Sequence, residues 1–315
     1  MKKLKVILGI VLIGILTGCH SHKMHSHDDH PTIETTAANH QEGYFGPYTL
    51  NDKKYGTNTV VTIKGDQRTM VTNALPNHDT GTFPNQGNPN TIRAQKRTYV
   101  FPVNPKYTGV AKWAREPGVA LNGVKFEPQT AEVVACESGE NYRVEAIQNL
   151  IDLGLDFNHA HVQPTGAYHY HGTPTSVVEA FDEGKDLVHI GFALDGFPIY
   201  YSKSGAYKPS YQLIDNTRTG TDCTYENPKV KIEMELHGTE QDGTYLSDWE
   251  YIKGLGDLDE CNGITVSGQY MYLVTDDYPY VGRCLMGEFK ETERRGPPPG
   301  RRPGHGPPTG RHPRN

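Results

Sequence analysis

The chain has 315 residues, with 34 glycines, 22 prolines and 19 tyrosines, and only 35% of it is hydrophobic. That composition argues against a helical bundle and for many turns joined by short strands. The formal charge is −6, and residues 41–290 alone hold 21 Lys and Arg against 32 Asp and Glu, a net −11. A core of that sign excludes the positive footprint a phosphate backbone needs, so no nucleic-acid partner is expected.

At the start, Lys2, Lys3 and Lys5 precede an uncharged apolar run from Val6 to Leu16. A spanning helix needs ~20 apolar residues, so this run reads as a secretory signal and not as a membrane span. It ends in Leu16-Thr17-Gly18-Cys19, which resembles the lipobox of bacterial lipoprotein signal peptides. The resemblance implies a signal peptide over 1–18, cleavage before Cys19 and acylation of its thiol with palmitate. The membrane anchor would then hold the chain on the bacterial cell envelope, facing away from the cytoplasm.

Residues 19–43 follow as a polar tether carrying His20, His22, His25, His27, His30 and His40. So little apolar surface predicts disorder, and the imidazoles suit weak capture of Zn²⁺, Cu²⁺ or Ni²⁺. At the other end, residues 293–315 are rich in Pro, Gly and Arg and read as an extended tail.

Between them, 44–292 reads as a single compact, mainly β, antiparallel domain with many hairpins. Strand-like runs are Val60–Ile63, Thr98–Val103, Val188–Leu194, Val230–Leu236 and Tyr270–Thr275. Asn-Gly and Asp-Gly pairs punctuate them, as tight hairpins require. One short helix is predicted over Tyr142–Leu153, where Val144, Ile147, Leu150 and Ile151 recur at helical spacing before Gly154. There is one internal echo: Gly118 to Phe126 matches Gly191 to Ile199 as strand, turn, strand. This is either a partly duplicated sheet or two independent hairpins.

The even set Cys136, Cys223, Cys261 and Cys284 in an exported chain reads as two disulfides. Cys261–Cys284 is the favoured pair because it brackets one strand-turn unit. Without a Cys-x-x-Cys, a thiol metal site or redox motif is not expected.

The chemistry concentrates in Asn158-His159-Ala160-His161 and Tyr168-His169-Tyr170-His171. In a strand, residues i and i+2 share a face, so each His-x-His pair projects together. The turn-forming residues 162–167 between them would let the pairs face one another across a hairpin. That donor set suits a divalent metal ion, zinc or copper above all. His189 and Asp195 are candidates to complete or orient the site. The bland reading is a set of structural histidines with tyrosines buried on the other face.

The run Tyr168-His169-Tyr170-His171 resembles the signature of the bacterial YHYH-domain family. So do Leu75 to Pro84, Gly123 to Pro128, Gly191 to Tyr200 and Gly256 to Gly263. The resemblance implies one domain; the family name describes a motif and implies no reaction. No Gly-x-Ser-x-Gly, His-Glu-x-x-His or phosphate-binding loop is present. The expectation is therefore an envelope lipoprotein that binds a transition metal and leans away from catalysis. The alternatives are a metal-dependent hydrolase with His189 or Asp195 as proton carrier, and a surface adhesion or glycan-binding module with structural histidines.

Overall fold

The computed structural model of the protein describes residues 43–227, 230–232 and 240–290. The expected signal peptide, nearly all of the histidine tether, and the tail lie outside these residues.

Alternation of apolar and polar side chains builds the first sheet. Strands β1 (Tyr48–Asp52), β2 (Thr57–Lys64), β3 (Gln67–Thr72) and β4 (Arg97–Pro102) pair in order as an antiparallel meander. Tyr48, Val61, Met70 and Tyr99 lie opposite one another and are buried. Every second residue turns to solvent, which leaves Val71 and Val100 exposed.

Beyond it come β5 (Tyr107–Trp113), β6 (Gly118–Ala120), β7 (Lys125–Phe126), β8 (Val133–Cys136), β9 (Asn141–Arg143), β10 (Ala160–Val162) and β11 (Tyr168–Tyr170). A short helix, α1 (Thr175–Ala180), leads to β12 (Leu187–Ala193) and β13 (Pro198–Ser202). The chain continues through β14 (Tyr211–Leu213), β15 (Cys223–Asn227), β16 (Val230–Ile232), β17 (Trp249–Tyr251), β18 (Gly263–Val266), β19 (Gln269–Val274) and β20 (Cys284–Gly287). β5 pairs with β20, β14 with β17, and β16-β15-β8-β9 form a four-stranded sheet. Four of the five strand runs read from the sequence fall on β2, β4, β12 and β19. The fifth, Val230–Leu236, begins as β16, and its residues 233–236 lie outside the described residues.

The centre is an eight-stranded sheet in the order β10-β11-β7-β6-β12-β13-β19-β18. Its two halves repeat one design. In each, a hairpin (β6–β7 or β12–β13) receives a second hairpin's inner strand in parallel (β11 on β7, β19 on β13). The seam between halves is β6 against β12, with Ala120 opposite Gly191 and Gly118 opposite Ala193. The echo between Gly118–Phe126 and Gly191–Ile199 is thus two equivalent hairpins lying side by side. Their turn glycines match, Gly123 at φ +89° and Gly196 at φ +92°. A Cβ on either would collide with the meander, at Thr72 and Thr59 or at Pro102.

The equivalence extends to details. Tyr168 Oη donates to Asp156 at 2.6 Å, and Tyr270 Oη to Asp259 at 2.7 Å. Each of those carboxylates also accepts backbone N–H groups of the turn before its strand, from Asn158 and Ala160 or from Cys261 and Gly263. His159 and Asn262, at the same place in that turn, both have positive φ, 50° and 61°.

The helix expected over Tyr142–Leu153 is not formed; among the described residues α1 is the only α-helix. Tyr142 and Arg143 belong to β9, and the rest is an irregular loop. Gln148 takes over the local hydrogen bonds: its Oε1 accepts from Leu150 and Ile151 N, and its Nε2 donates to Ile151 O at 2.6 Å. Val144, Ile151 and Leu153 still bury, against Val134, Tyr225 and Tyr245. The apolar spacing recorded burial and not helical period.

Cys136 bonds Cys223, opposite it on β8 and β15, and Cys261 bonds Cys284, the pair favoured from sequence.

Candidate metal centre

The site sits on the β10–β11 hairpin. Gly166, at φ +87°, lets residues 163–166 turn, with Gln163 N donating to Ala167 O and Gly166 N to Gln163 O. This register sets His161 opposite His169, and His171 continues one pleat further along the same face. The other face is held by the intervening tyrosines. Tyr170 Oη lies 2.7 Å from His78 Nε2 and 2.9 Å from Asn122 Nδ2, while Tyr168 is tied to Asp156. The strand therefore cannot slip without breaking buried hydrogen bonds.

Three imidazoles converge. His171 Nε2 is 3.0 Å from His161 Nε2 and 2.9 Å from His169 Nε2, and the three candidate ligand atoms lie within 4.8 Å of one another. His161 Nδ1 is 2.8 Å from Leu153 O. A carbonyl only accepts, so Nδ1 carries the proton and Nε2 is bare. His169 Nδ1 faces Ala167 O at 3.3 Å, whereas His171 Nδ1 is buried with no partner. Burial drives His161 below the ordinary imidazole range and His169 and His171 well below it. For the last two, neighbouring histidines and Lys125 push the same way. All three are held as neutral imidazoles, the form that binds a metal.

Their surroundings are charged. Lys125 lies opposite His169 on β7, and Glu127 N donates to Tyr170 O, which sets Glu127 beside His171. Both are almost fully buried. Lys125 Nζ donates to Glu116 and Glu127 at 2.6 Å and to Gln163 at 3.3 Å, and Arg115 donates to Glu127 at 2.8 Å.

The other half supplies a control. Where the first half has His161, His169 and His171, the registers place Ile264, Met271 and Leu273. Pro198 and Tyr200 stand for Lys125 and Glu127, and Val266 for Gln163. Met271, Leu273 and Leu258 form a small hydrophobic cluster there. The same backbone thus folds with apolar filling, so nothing in the architecture requires three histidines.

Three other residues expected at the site lie apart from the triad. His159, one residue off the strand's alternation, points elsewhere, and its Nδ1 meets Thr173 O at 2.9 Å. His189 stacks on Phe45 with ring centroids 4.4 Å apart, and its Nε2 meets Gly191 O at 3.0 Å. It lines a separate cleft of about 220 Å³ with Tyr44 and Tyr200. Asp195 is the turn residue of β12–β13, accepting from Tyr272 Oη at 2.6 Å and from Phe197 and Gly287 N. Neither His189 nor Asp195 joins the cluster of candidate ligands. Lys125 and Glu127 were overlooked in the sequence. Their signal was a pair of charges flanking Phe126 within an otherwise apolar stretch. The acidic run at Asp257, Asp259 and Glu260 braces a turn, with Asp259 accepting from Cys261 and Gly263 N.

A β-rich, disulfide-bonded domain with a buried three-histidine cluster on its central sheet is the class that fold and site define. The family model for YHYH protein matches residues 98–287, and the chain belongs to that family. The match takes in the whole eight-stranded sheet and the triad, and it leaves out the resembling stretch Leu75 to Pro84. No curated protein and no solved structure matches the chain.

Proposed function

We propose that this protein is a bacterial cell-envelope lipoprotein, anchored through acylated Cys19, that binds a transition-metal ion through His161, His169 and His171. The observation that carries the reading is the replacement of a viable apolar cluster by three buried, neutral, convergent imidazoles. His171 Nε2 has at most one proton to share between the bare Nε2 atoms of His161 and His169, and a buried nitrogen left without a partner costs about 1–3 kcal/mol. A metal ion turns that cost into binding, with nitrogen ligands at about 2.0–2.1 Å for zinc. Zinc accepts such an arrangement readily; copper is the alternative on the same donors. The two disulfides support an oxidising location outside the cytoplasm. The tether histidines would raise the local metal supply.

Elemental analysis of residues 41–292, beside the same segment with His169→Ala and His171→Ala, tests the proposal. One zinc or copper per chain, lost in the double variant, is expected. A metal-free domain after incubation with both ions would refute it.

A further inference from the structure

Around the His171 end of the triad lies a second set of buried polar atoms. Arg283, just before β20, accepts on its carbonyl from Ala114 N at 3.1 Å. The neighbouring Arg115 holds Glu127, which sits beside His171. From the other side comes the loop that follows β9. Glu145 Oε2 accepts from Arg283 Nη2 at 2.7 Å. Two residues on, Ile147 Cδ1 reaches within 2.6 Å of where a Cβ on Gly172 would stand. Further along, Leu153 O orients His161. The Arg283–Glu145 pair thus sits on two segments that flank the His171 end of the triad, near enough for the charge of Arg283 to be among the causes that depress His171.

That pair is incompletely satisfied. Arg283 Nε and Nη1 and His171 Nδ1 are buried without a hydrogen-bond partner, while Tyr278 bonds Glu145 and its ring lies 4.9 Å from the guanidinium carbon. Arg283 and Glu145 are 8% and 2% exposed. Lys125 differs: its three protons already go to Glu116, Glu127 and Gln163. Among the described residues no fourth His, Cys, Asp or Glu joins the triad. A divalent ion held by three neutral imidazoles keeps its full charge, and an uncompensated charge is costly in a buried site. A planar guanidinium with free donors is the group best fitted to hold an oxyanion beside it.

We propose that the triad and Arg283 form one centre, taking a metal ion together with a small oxyanion such as carbonate, phosphate or a carboxylate. This rests on the metal-binding reading. The oxyanion completes the coordination that three histidines leave open, and the spare guanidinium donors hold its outer oxygens. Glu145 is the internal competitor for the same guanidinium.

The test uses the chain from residue 19 with Cys19 and the six tether histidines changed to serine, loaded with Co²⁺. Bicarbonate, inorganic phosphate and acetate are titrated separately while the visible cobalt bands are recorded. A saturable spectral change with at least one anion is expected, weakened about tenfold or more in Arg283→Met, as loss of a charge-assisted hydrogen bond implies. Arg283→Lys, which keeps the charge and loses the fork, should fall between, and Glu145→Gln should tighten binding. If Arg283→Met does not fold, the Lys and Gln variants carry the comparison. Stoichiometric cobalt with no response to any anion, or a response indifferent to Arg283 and Glu145, would overturn this inference alone. Failure to bind cobalt at all would remove the metal reading with it.

Discussion

The apolar half of the central sheet specifies a decisive experiment: give the first half the residues of the second, His161→Ile, His169→Met and His171→Leu. The backbone already carries those side chains at the equivalent strand positions. They are close to imidazole in volume, so strain should stay under about 1.5 kcal/mol. The swap removes the unpaired His171 Nδ1, worth about 1–3 kcal/mol, and adds apolar burial worth about 1.5–3 kcal/mol per side chain. Against this stand the strain and the carbonyls of Leu153 and Ala167, which lose their imidazole partners at about 1–3 kcal/mol each, so that at mid-range values a net gain on the order of 3 kcal/mol is expected for the metal-free protein. Zinc should reverse the order. At a thousand times its dissociation constant it stabilises the parent by about 4 kcal/mol and the swapped chain not at all. Urea unfolding at pH 7.5, with chelator and then with excess zinc, reads all four values. A swapped chain that is less stable than the parent under chelator would show that the histidines are structural. Equal stabilisation of both chains by zinc would show that the metal binds elsewhere.

Three further outcomes are expected. The His159→Ala variant should keep its full metal stoichiometry by elemental analysis, since His159 lies outside the triad; loss of metal would restore a four-histidine site. Burial raises Asp195 from 3.8 to about 6. Its contribution is therefore fully present below pH 3.8 and is lost as the pH rises through 6, a decline of about 3 kcal/mol. In Asp195→Asn that part of the decline between pH 4 and 7 should vanish from urea midpoints, and identical pH slopes in both chains would contradict the assignment. Removing the Cys136–Cys223 bond by paired alanines opens a loop of 87 residues. It should cost about 4–5 kcal/mol in urea unfolding and weaken zinc binding, because β8 and β15 brace the loop that orients His161.

Period-two patterning exposed the strands and the facing of His161 on His169 and His171, because alternation on a half-buried sheet is a local property. The hairpin echo was legible for the same reason, although its meaning depended on long-range pairing of β6 with β12. The helix over Tyr142–Leu153 failed because apolar spacing cannot say which neighbour a side chain buries against. Gln148 competed successfully for the backbone groups a helix would have used. His159 and His189 were indistinguishable from ligands in one dimension. One sits at a positive-φ turn, which breaks the alternation, and the other faces Phe45 across chain segments far apart in sequence. Arg283 and Glu145, 138 residues apart, carried no signal at all.

The Cys136–Cys223 bond closes a covalent ring that contains the triad hairpin, the loop over it and α1. Residues 182–186, between α1 and β12, are exposed in succession and lie inside that ring. A protease cutting there would sever the backbone but not release either piece, since each remains joined through the disulfide. The histidines and their covering loop would stay on one fragment, upstream of the cut. A chain nicked in this way would run as two bands only after reduction, and it could keep its histidine triad assembled in surroundings where intact loops do not last.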